Sequence, residues 1–347
     1  MTPDIAMILG QDGLINGAIY GLLAIALVVV YAVTRIIFIP QGELVVYAAF
    51  TFYALQNATL PPTLWLLGGL TAVAVAMDLI RWLRVRSDTS ALRRVLFHTG
   101  AFAAAALLSL AALPLAEVRF VPVVMTIAVT AALGPVLYRV VYRPIASATV
   151  LHLLIVSVAV GLTMSGFGLL MFGPEGIRTD AILSGRFDLA GMLTSAQGAL
   201  VVVVALLTMS ALSAFFTLTL IGKSLRATSV SRMGARIVGI RTENAGMQSF
   251  LLAATIAGIS GVLISPITTI YYDSGFLIGL KGFVGAIIGG LVSYPIAAAD
   301  AIFVGLTEAF ASFYASAYKE TIVFALIIPV LVWRSLTSVH LEEDQGE

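Results

Sequence analysis

Among the ionisable residues within long apolar runs, Glu43, Lys281, Asp300 and Glu308 stand out. An ionisable group at the centre of a bilayer costs roughly 2.5–3.5 kcal/mol even on the lenient insertion scale. Each therefore needs a partner, a wet cavity or a route to the interface. Glu43 follows Pro40-Gln41-Gly42, residues that permit unwound backbone. Such a break is tolerated at depth only where protein or a water-filled cavity covers it, which would make it part of a pathway lining. The alternative is an ordinary loop over 36–42, with Glu43 placed favourably at the N-terminus of the next helix. Lys281 sits early in an apolar run and can snorkel to an interface. Asp300 and Glu308 are eight residues apart, roughly one helix face. They can line a polar path, pair with Lys281 or touch a partner subunit. Gln41, Gly42, Glu43, Lys281, Asp300 and Glu308 are thus the candidate translocation-path residues.

Catalytic chemistry has little support. Cysteine is absent, which removes disulfides, thiolate metal sites and cysteine nucleophiles. His98, His152 and His340 are far apart and have no ligand spacing around them. Gly258-Ile-Ser260-Gly-Val262 lacks the last glycine of a nucleophile elbow. Gly222-Lys223-Ser224 imitates the end of a phosphate loop, but Thr217 stands where its first glycine would be. The expectation is no metal, no nucleotide site and no catalytic residue on this chain.

The elements that position these residues follow from composition. Of 347 residues, 60% are hydrophobic and 11% charged, against about 45–50% and about 25% in a soluble domain. Mean hydropathy is +1.05. A membrane helix needs about 20 apolar residues. Apolar runs fall near 13–33, 36–58, 62–82, 95–116, 120–140, 150–172, 198–221, 246–270, 279–295, 297–314 and 321–334. The reading is an all-α, polytopic helical membrane protein with about 9–11 transmembrane segments. A broken helix is expected near 279–299, where Gly289, Gly290 and Pro295 disfavour continuous helix. Residues 1–347 form one transmembrane domain. Net charge is +1, which gives no reason to expect nucleic acid. Residues 1–12 are acidic, so no cleavable signal peptide is expected.

Basic residues orient the chain. Arg81, Arg84, Arg86, Arg93 and Arg94 follow the third run, Arg139 and Arg143 the fifth, and Lys223, Arg226, Arg232, Arg236 and Arg241 the seventh. With Arg35 and Arg334 they hold most of the 19 basic residues, so that side is expected to be cytoplasmic. The N-terminus then faces out and the C-terminus in. Leu225, Val230, Met233, Ile237 and Ile240 recur at near-helical spacing within 222–245. They suggest a short amphipathic helix along the membrane face; an ordinary basic loop is the alternative. Gly282, Gly285 and Gly289 recur at three and four, with Gly290 adjoining. They form a smooth face for close helix packing.

Taken together, these segments resemble the membrane subunit of branched-chain amino acid ABC importers, the LivH-type permeases. Gly222…Arg226-Ala227…Ala235…Gly239-Ile240 is similar to the family's G-x-x-x-R-A…A-x-x-x-G-I coupling segment. Ala257-Gly-Ile-Ser-Gly261-Val-Leu263 resembles its A-G-V-L helix, and Gly279-Leu-Lys281-Gly-Phe283…Gly289-Gly290 its G-x-K-A-F…G-G run. Gly305…Glu308-Ala309, Tyr318-Lys319-Glu320 and Tyr142-Arg143-Pro144 match G-x-x-E-A, Y-K-D and Y-R-P. Phe38-Ile-Pro-Gln41-Gly42-Glu43 is a variant of N-F-A-H-G-E, with Ile37 and Gln41 in place of Asn and His. Residues 61–118 have no counterpart in these motifs and read as an inserted transmembrane hairpin, placed at the periphery, with Asp78 near an interface.

The resemblance implies a permease in the bacterial inner membrane, paired with a second related permease or a second copy of this chain. It implies two cytoplasmic ATPase subunits, carrying the ATP and Mg, docked at 222–242 through Lys223, Arg226, Arg232, Ala235, Arg236, Gly239 and Ile240. A periplasmic solute-binding protein would deliver branched-chain or related amino acids. The rival is a stand-alone transporter or channel in which Glu43, Asp300 and Glu308 couple protons or sodium.

Overall fold

The computed structural model describes residues 3–84, 99–100, 103–107, 109–110, 114, 118, 120–189, 192–290, 294–330 and 332. Arg86, Arg93, Arg94, His98, much of the 95–116 run, His340 and the acidic tail lie outside the described residues. The helices are α1 (Pro3–Thr34), α2 (Gln41–Gln56), α3 (Thr63–Arg84), α4 (Phe120–Leu137), α5 (Val150–Phe172), α6 (Ala196–Leu218), α7 (Leu220–Val230), α8 (Arg232–Ile237), α9 (Thr242–Ile264), α10 (Ser274–Ile288), α11 (Tyr294–Tyr314) and α12 (Lys319–Ala325). A π-helical turn, Tyr138–Tyr142, and a 3-10 turn, Arg143–Ile145, extend α4. One antiparallel hairpin, β1 (Arg186–Leu189) and β2 (Met192–Ser195), sits between α5 and α6.

Seven helices among the described residues, α1, α3, α4, α5, α6, α9 and α11, are long and apolar enough to cross a membrane. The fold is a polytopic helical membrane protein. At ~1.5 Å per residue, α2 and α10 measure ~24 and ~22 Å, shorter than a hydrocarbon core of ~30 Å. Each occupies part of the bundle's depth.

α1 is the central post. It packs against α6, α9, α10 and α11. Gly13 and Gly17 lie against α11: a Cβ on Gly17 would come 2.6 Å from Ile302 Cα, and one on Gly13 2.7 Å from Leu306 Cα. Side chains this small let two backbones approach without a gap, the packing that holds helices together in lipid.

Two ends of the bundle are distinguishable. The hairpin end carries β1–β2 and the segment after α9. There Ile177 pairs with Ile270, and the Thr179 amide donates to the Ser265 carbonyl over 3.2 Å. The other end carries α7 and α8, separated from the hairpin by the full length of α6. α1 begins at the hairpin end, where Met7, Gln11 and Thr194 line a common cavity. It finishes at the α8 end, where Arg232 donates to the Val33 carbonyl over 3.1 and 3.2 Å.

The expected run 36–58 is corrected in one respect. Arg35 takes φ +61° and stops α1; residues 35–40 are non-helical and α2 starts at Gln41. Ile36, Phe38 and Gln41 are nonetheless buried, so this is unwound chain inside the bundle. The expected break near 279–299 is a true interruption. α10 stops at Ile288, and the Gly289 and Gly290 amides donate back to Gly285 and Ile287. Gly290 takes φ +75°, a left-handed conformation open to glycine. Gly290 is therefore a turn residue rather than the packing residue expected.

Candidate functional site

Two buried polar assemblies and one exposed platform contain nearly all the candidate residues. The first assembly centres on Lys281, on α10. Its ammonium donates to Glu308 Oε1 on α11 over 2.5 Å and to Glu320 Oε1 on α12 over 3.1 Å. The Tyr20 hydroxyl on α1 donates to Glu308 Oε2 over 2.6 Å, and the ammonium stands 5.7 Å from the Tyr20 ring centre. Four helices thus meet at one charged knot. Lys281 and Glu308 side chains are 8% and 10% exposed, so Lys281 does not snorkel. Of the three choices for Glu308, pairing is the one observed, which engages one of the acids on which the stand-alone reading relied. Asp300 lies two turns earlier on α11 and is half-buried.

Glu308 and Lys281 were legible as intramembrane charges. Glu320 was visible only within its motif, and nothing in the sequence marked Tyr20. The separate elements G-x-K, G-x-x-E-A and Y-K-E come together here as one ion cluster. Gly305 serves the same contact differently: it meets the Gly17 amide and the Gly13 carbonyl, and no side chain would fit.

The second assembly is Gln41-Gly42-Glu43, the first turn of α2. The Gln41 side-chain amide donates to the Ala253 carbonyl, midway along α9, over 2.9 Å. Gly42 lies against Gly275 and Gly279 of α10; a Cβ there would come 2.7 Å from the Gly279 nitrogen. Glu43 is 2% exposed. Its Oε2 is 2.6 Å from where a Cβ on Gly275 would stand. Both expected readings hold a part: Glu43 does sit in the first turn of a helix, and that turn is deep in protein.

Farther along α10, the glycine face meets neighbouring backbone. A Cβ on Gly282 would come 2.6 Å from Leu23 Cβ, one on Gly285 2.9 Å from Ala301 Cα, and one on Gly289 2.7 Å from Ala297 Cα. These contacts run to α1 and α11 of the same chain.

The platform is α7–α8. Thr219 caps α7, its hydroxyl accepting from the Gly222 amide over 2.9 Å, and Ser231 caps α8, accepting from Gly234 over 3.1 Å. At the end of α8, Gly239 takes φ +86°, and the Ile240 amide donates to the Ala235 carbonyl over 2.9 Å. That is a Schellman cap, which explains the spacing Ala235…Gly239-Ile240 in physical terms. Ala235 and Leu225 are buried. Lys223, Arg226, Arg236 and Gly239 are exposed, while Arg232 and Ile240 are half-buried. Burial pulls the Arg232 guanidinium's pKa below its ordinary value, and neighbouring Arg35 and Arg236 act in the same direction. Val230, Met233, Ile237 and Val238 are each at least 70% exposed. Of the apolar residues expected to make one amphipathic face, only Leu225 turns fully inward, because Ser231 divides the segment into two helices.

A further ion pair was missed. Asp78 on α3 pairs with Arg139 in the π-helical turn, and both are buried. Asp78, expected near an interface, is thus a buried and paired acid, and Arg139 is more than a topology signal. They are 61 residues apart, and no local pattern connects them. Tyr142 of the Y-R-P element is fully buried, its ring packed against Phe38 and Phe250 at centroid distances of 5.8 and 5.2 Å.

A many-helix membrane bundle with charged groups locked in its interior and a capped helical platform at one end defines a polytopic integral membrane protein. The chain belongs to the family of branched-chain amino acid transport system permease components, matched over residues 93–331; the match begins inside the 61–118 segment. The high-affinity branched-chain amino acid transport system permease protein LivH of Escherichia coli K12 is 28% identical over 214 residues, 59% of this chain and 69% of LivH. Its counterpart BraD of Pseudomonas aeruginosa is 26% identical over 341 residues, 96% of this chain and 95% of BraD. Among solved structures, PsaBC from Streptococcus pneumoniae in complex with Fab covers 93% of this chain and 89% of its own at 12% identity and a TM-score of 0.40, too slight a likeness to define the fold.

Proposed function

We propose that this chain is the membrane-embedded subunit of an ATP-driven importer of branched-chain or related amino acids in a bacterial inner membrane. A periplasmic binding protein delivers the solute at the hairpin end, where the N-terminus lies. A second permease, related or identical, completes the path. Two ATPase subunits, which hold the ATP and Mg, dock at the α7–α8 end, and the C-terminus is cytoplasmic. This chain contributes no catalytic group. The 61–118 segment is a peripheral hairpin, in keeping with the exposed Trp65, Leu79, Ile80 and Leu83 on α3.

The observation that carries the reading is the platform: Val230, Met233, Ile237 and the α8 C-cap Val238 stand exposed on or at the end of capped helices, beside Arg226 and Arg236. Such a patch favours a protein partner. Arg232 gives that partner mechanical access to the core, because its two bonds to the Val33 carbonyl tie α8 to the end of α1. ATPase closure then moves α7–α8 and, through α1, the helices around Lys281 and Glu43, which exposes the path alternately to each side. Ala235→Pro breaks α8 at its buried seat and is expected to abolish solute-stimulated ATP hydrolysis and uptake in proteoliposomes while the membrane bundle still assembles. If both activities survive, the docking assignment is wrong.

A further inference from the structure

The seam between α2 and α10 has a feature that the proposed function does not use. Two short helices begin side by side, α2 at the buried Gln41 and α10 at the half-buried Ser274, next to the exposed Asp273. The first turn of α2 holds Gln41, Gly42 and Glu43, anchored at mid-depth by Ala253. Against it lie the first two turns of α10, with Gly275 beside the Glu43 carboxyl and Gly279 beside Gly42. The first amides of any helix have no intrahelical acceptor, and the aligned peptides leave about half a positive charge at that end. Two such ends lie close together here; the Gln41 and Ser274 amides donate to the Phe38 and Tyr271 carbonyls over 3.2 and 3.1 Å, and the amides that follow them supply the donors.

Glu43 is 2% exposed, and among the described residues its Oε2 has no hydrogen-bond partner. An ionised carboxylate in the interior without a cation is strongly disfavoured. The seam therefore combines an acceptor lacking a cationic donor with a set of donors suited to an anion. Interrupted helices with N-termini facing the bundle centre are the arrangement by which transporters hold carboxylates at mid-membrane.

The geometry points to a binding site for the head group of an α-amino acid: the Glu43 carboxylate takes the ammonium, and the first-turn amides of α2 and α10 take the carboxylate. The inference rests on the amino-acid reading above and assigns the solute a position within this chain. Gly42 abuts the Gly275 carbonyl, so the seam is closed, and the head group enters when α2 and α10 part. The side chain of the solute plays no part in this contact. Glu43 therefore recognises the amino-acid class and leaves the choice of side chain to other groups.

The test uses the complete transporter in proteoliposomes. Dicyclohexylcarbodiimide, an apolar reagent for carboxyl groups inside membranes, is applied during turnover, and the modified residue is identified by peptide mass. Leucine is expected to slow modification of Glu43 at least threefold. 2-Hydroxy-4-methylpentanoate, which has the same skeleton without the ammonium, is expected to leave it unchanged. Glu43→Gln preserves volume and is expected to assemble in normal amount and lose leucine uptake at least tenfold, with Glu43→Asp intermediate. Modification of Glu43 that is absent, indifferent to leucine or equally slowed by the hydroxy acid overturns the site, as does full uptake by Glu43→Gln. A wild-type transporter that takes up no amino acid overturns the functional reading itself, and the site with it.

Discussion

α1 and α6 have nearly the same mean hydropathy over their membrane-crossing windows, 2.3 and 2.5, yet 89% of one window is buried and 22% of the other. Apolarity determines that a helix crosses the membrane. It does not determine where in the bundle the helix stands, since lipid tails are as apolar as leucine. The difference lies in the small residues. α1 carries Gly13, Gly17 and Gly21 one turn apart, and each meets α11 or the Met209 side chain within 3 Å of a notional Cβ. α6 carries one glycine, Gly198, at its start, and then presents Val203, Leu206 and Leu207 outward. The inner helices are sorted by shape, the outer ones by hydrophobicity alone.

The largest effect expected from breaking this contrast is at Gly305. Its contact with Gly17 is backbone to backbone, so Gly305→Leu must force α1 and α11 apart. Size-exclusion chromatography of a fluorescent fusion should show almost no monodisperse protein. Leucine at Gly166, an exposed α5 position with no described atom within 4 Å of a notional Cβ, should leave the profile unchanged. Equal behaviour of the two variants would remove the distinction between inner and outer helices.

Next in size is the charged knot. Glu308→Ala strands Lys281 beside the partly exposed Glu320 and should cost about 3–5 kcal/mol, the usual penalty for halving a buried pair. Melting in detergent should fall accordingly. Replacing both partners, Lys281→Met with Glu308→Leu, should recover much of the loss, because apolar groups of similar volume need no pairing. A double variant as unstable as the single one would mean that the pair contributes more than mutual neutralisation. The smallest effect is expected at Leu207, 64% exposed on α6: Leu207→Ala should shift stability by less than about 0.5 kcal/mol. A larger loss in the assembled complex would show that a partner covers this face.

Much of the architecture was legible because membrane constraints are local. Runs of about 20 apolar residues, the glycine spacing at 282, 285 and 289, and the break at Gly289-Gly290 can each be read within one window. What escaped depends on pairs distant in sequence. Asp78 with Arg139, and Tyr20 with Glu308, 288 residues apart, leave no mark in any window. Glu43 was legible as a candidate, but its surroundings were not. Its neighbours showed that the chain unwinds, but only the packed structure places the N-termini of α2 and α10 together around it.

We propose α8 as the seat of an ATPase, and one cross-linking measurement tests that assignment. The native chain has no cysteine, so Met233→Cys, at a position 70% exposed on α8, provides a single thiol. In the co-expressed transporter the account predicts a cross-link from this thiol to a cysteine introduced on the ATPase surface, with yield that changes when ATP is added, and no labelling by a membrane-impermeant maleimide applied from the periplasmic side. Labelling from outside with no cross-link to the ATPase would contradict it.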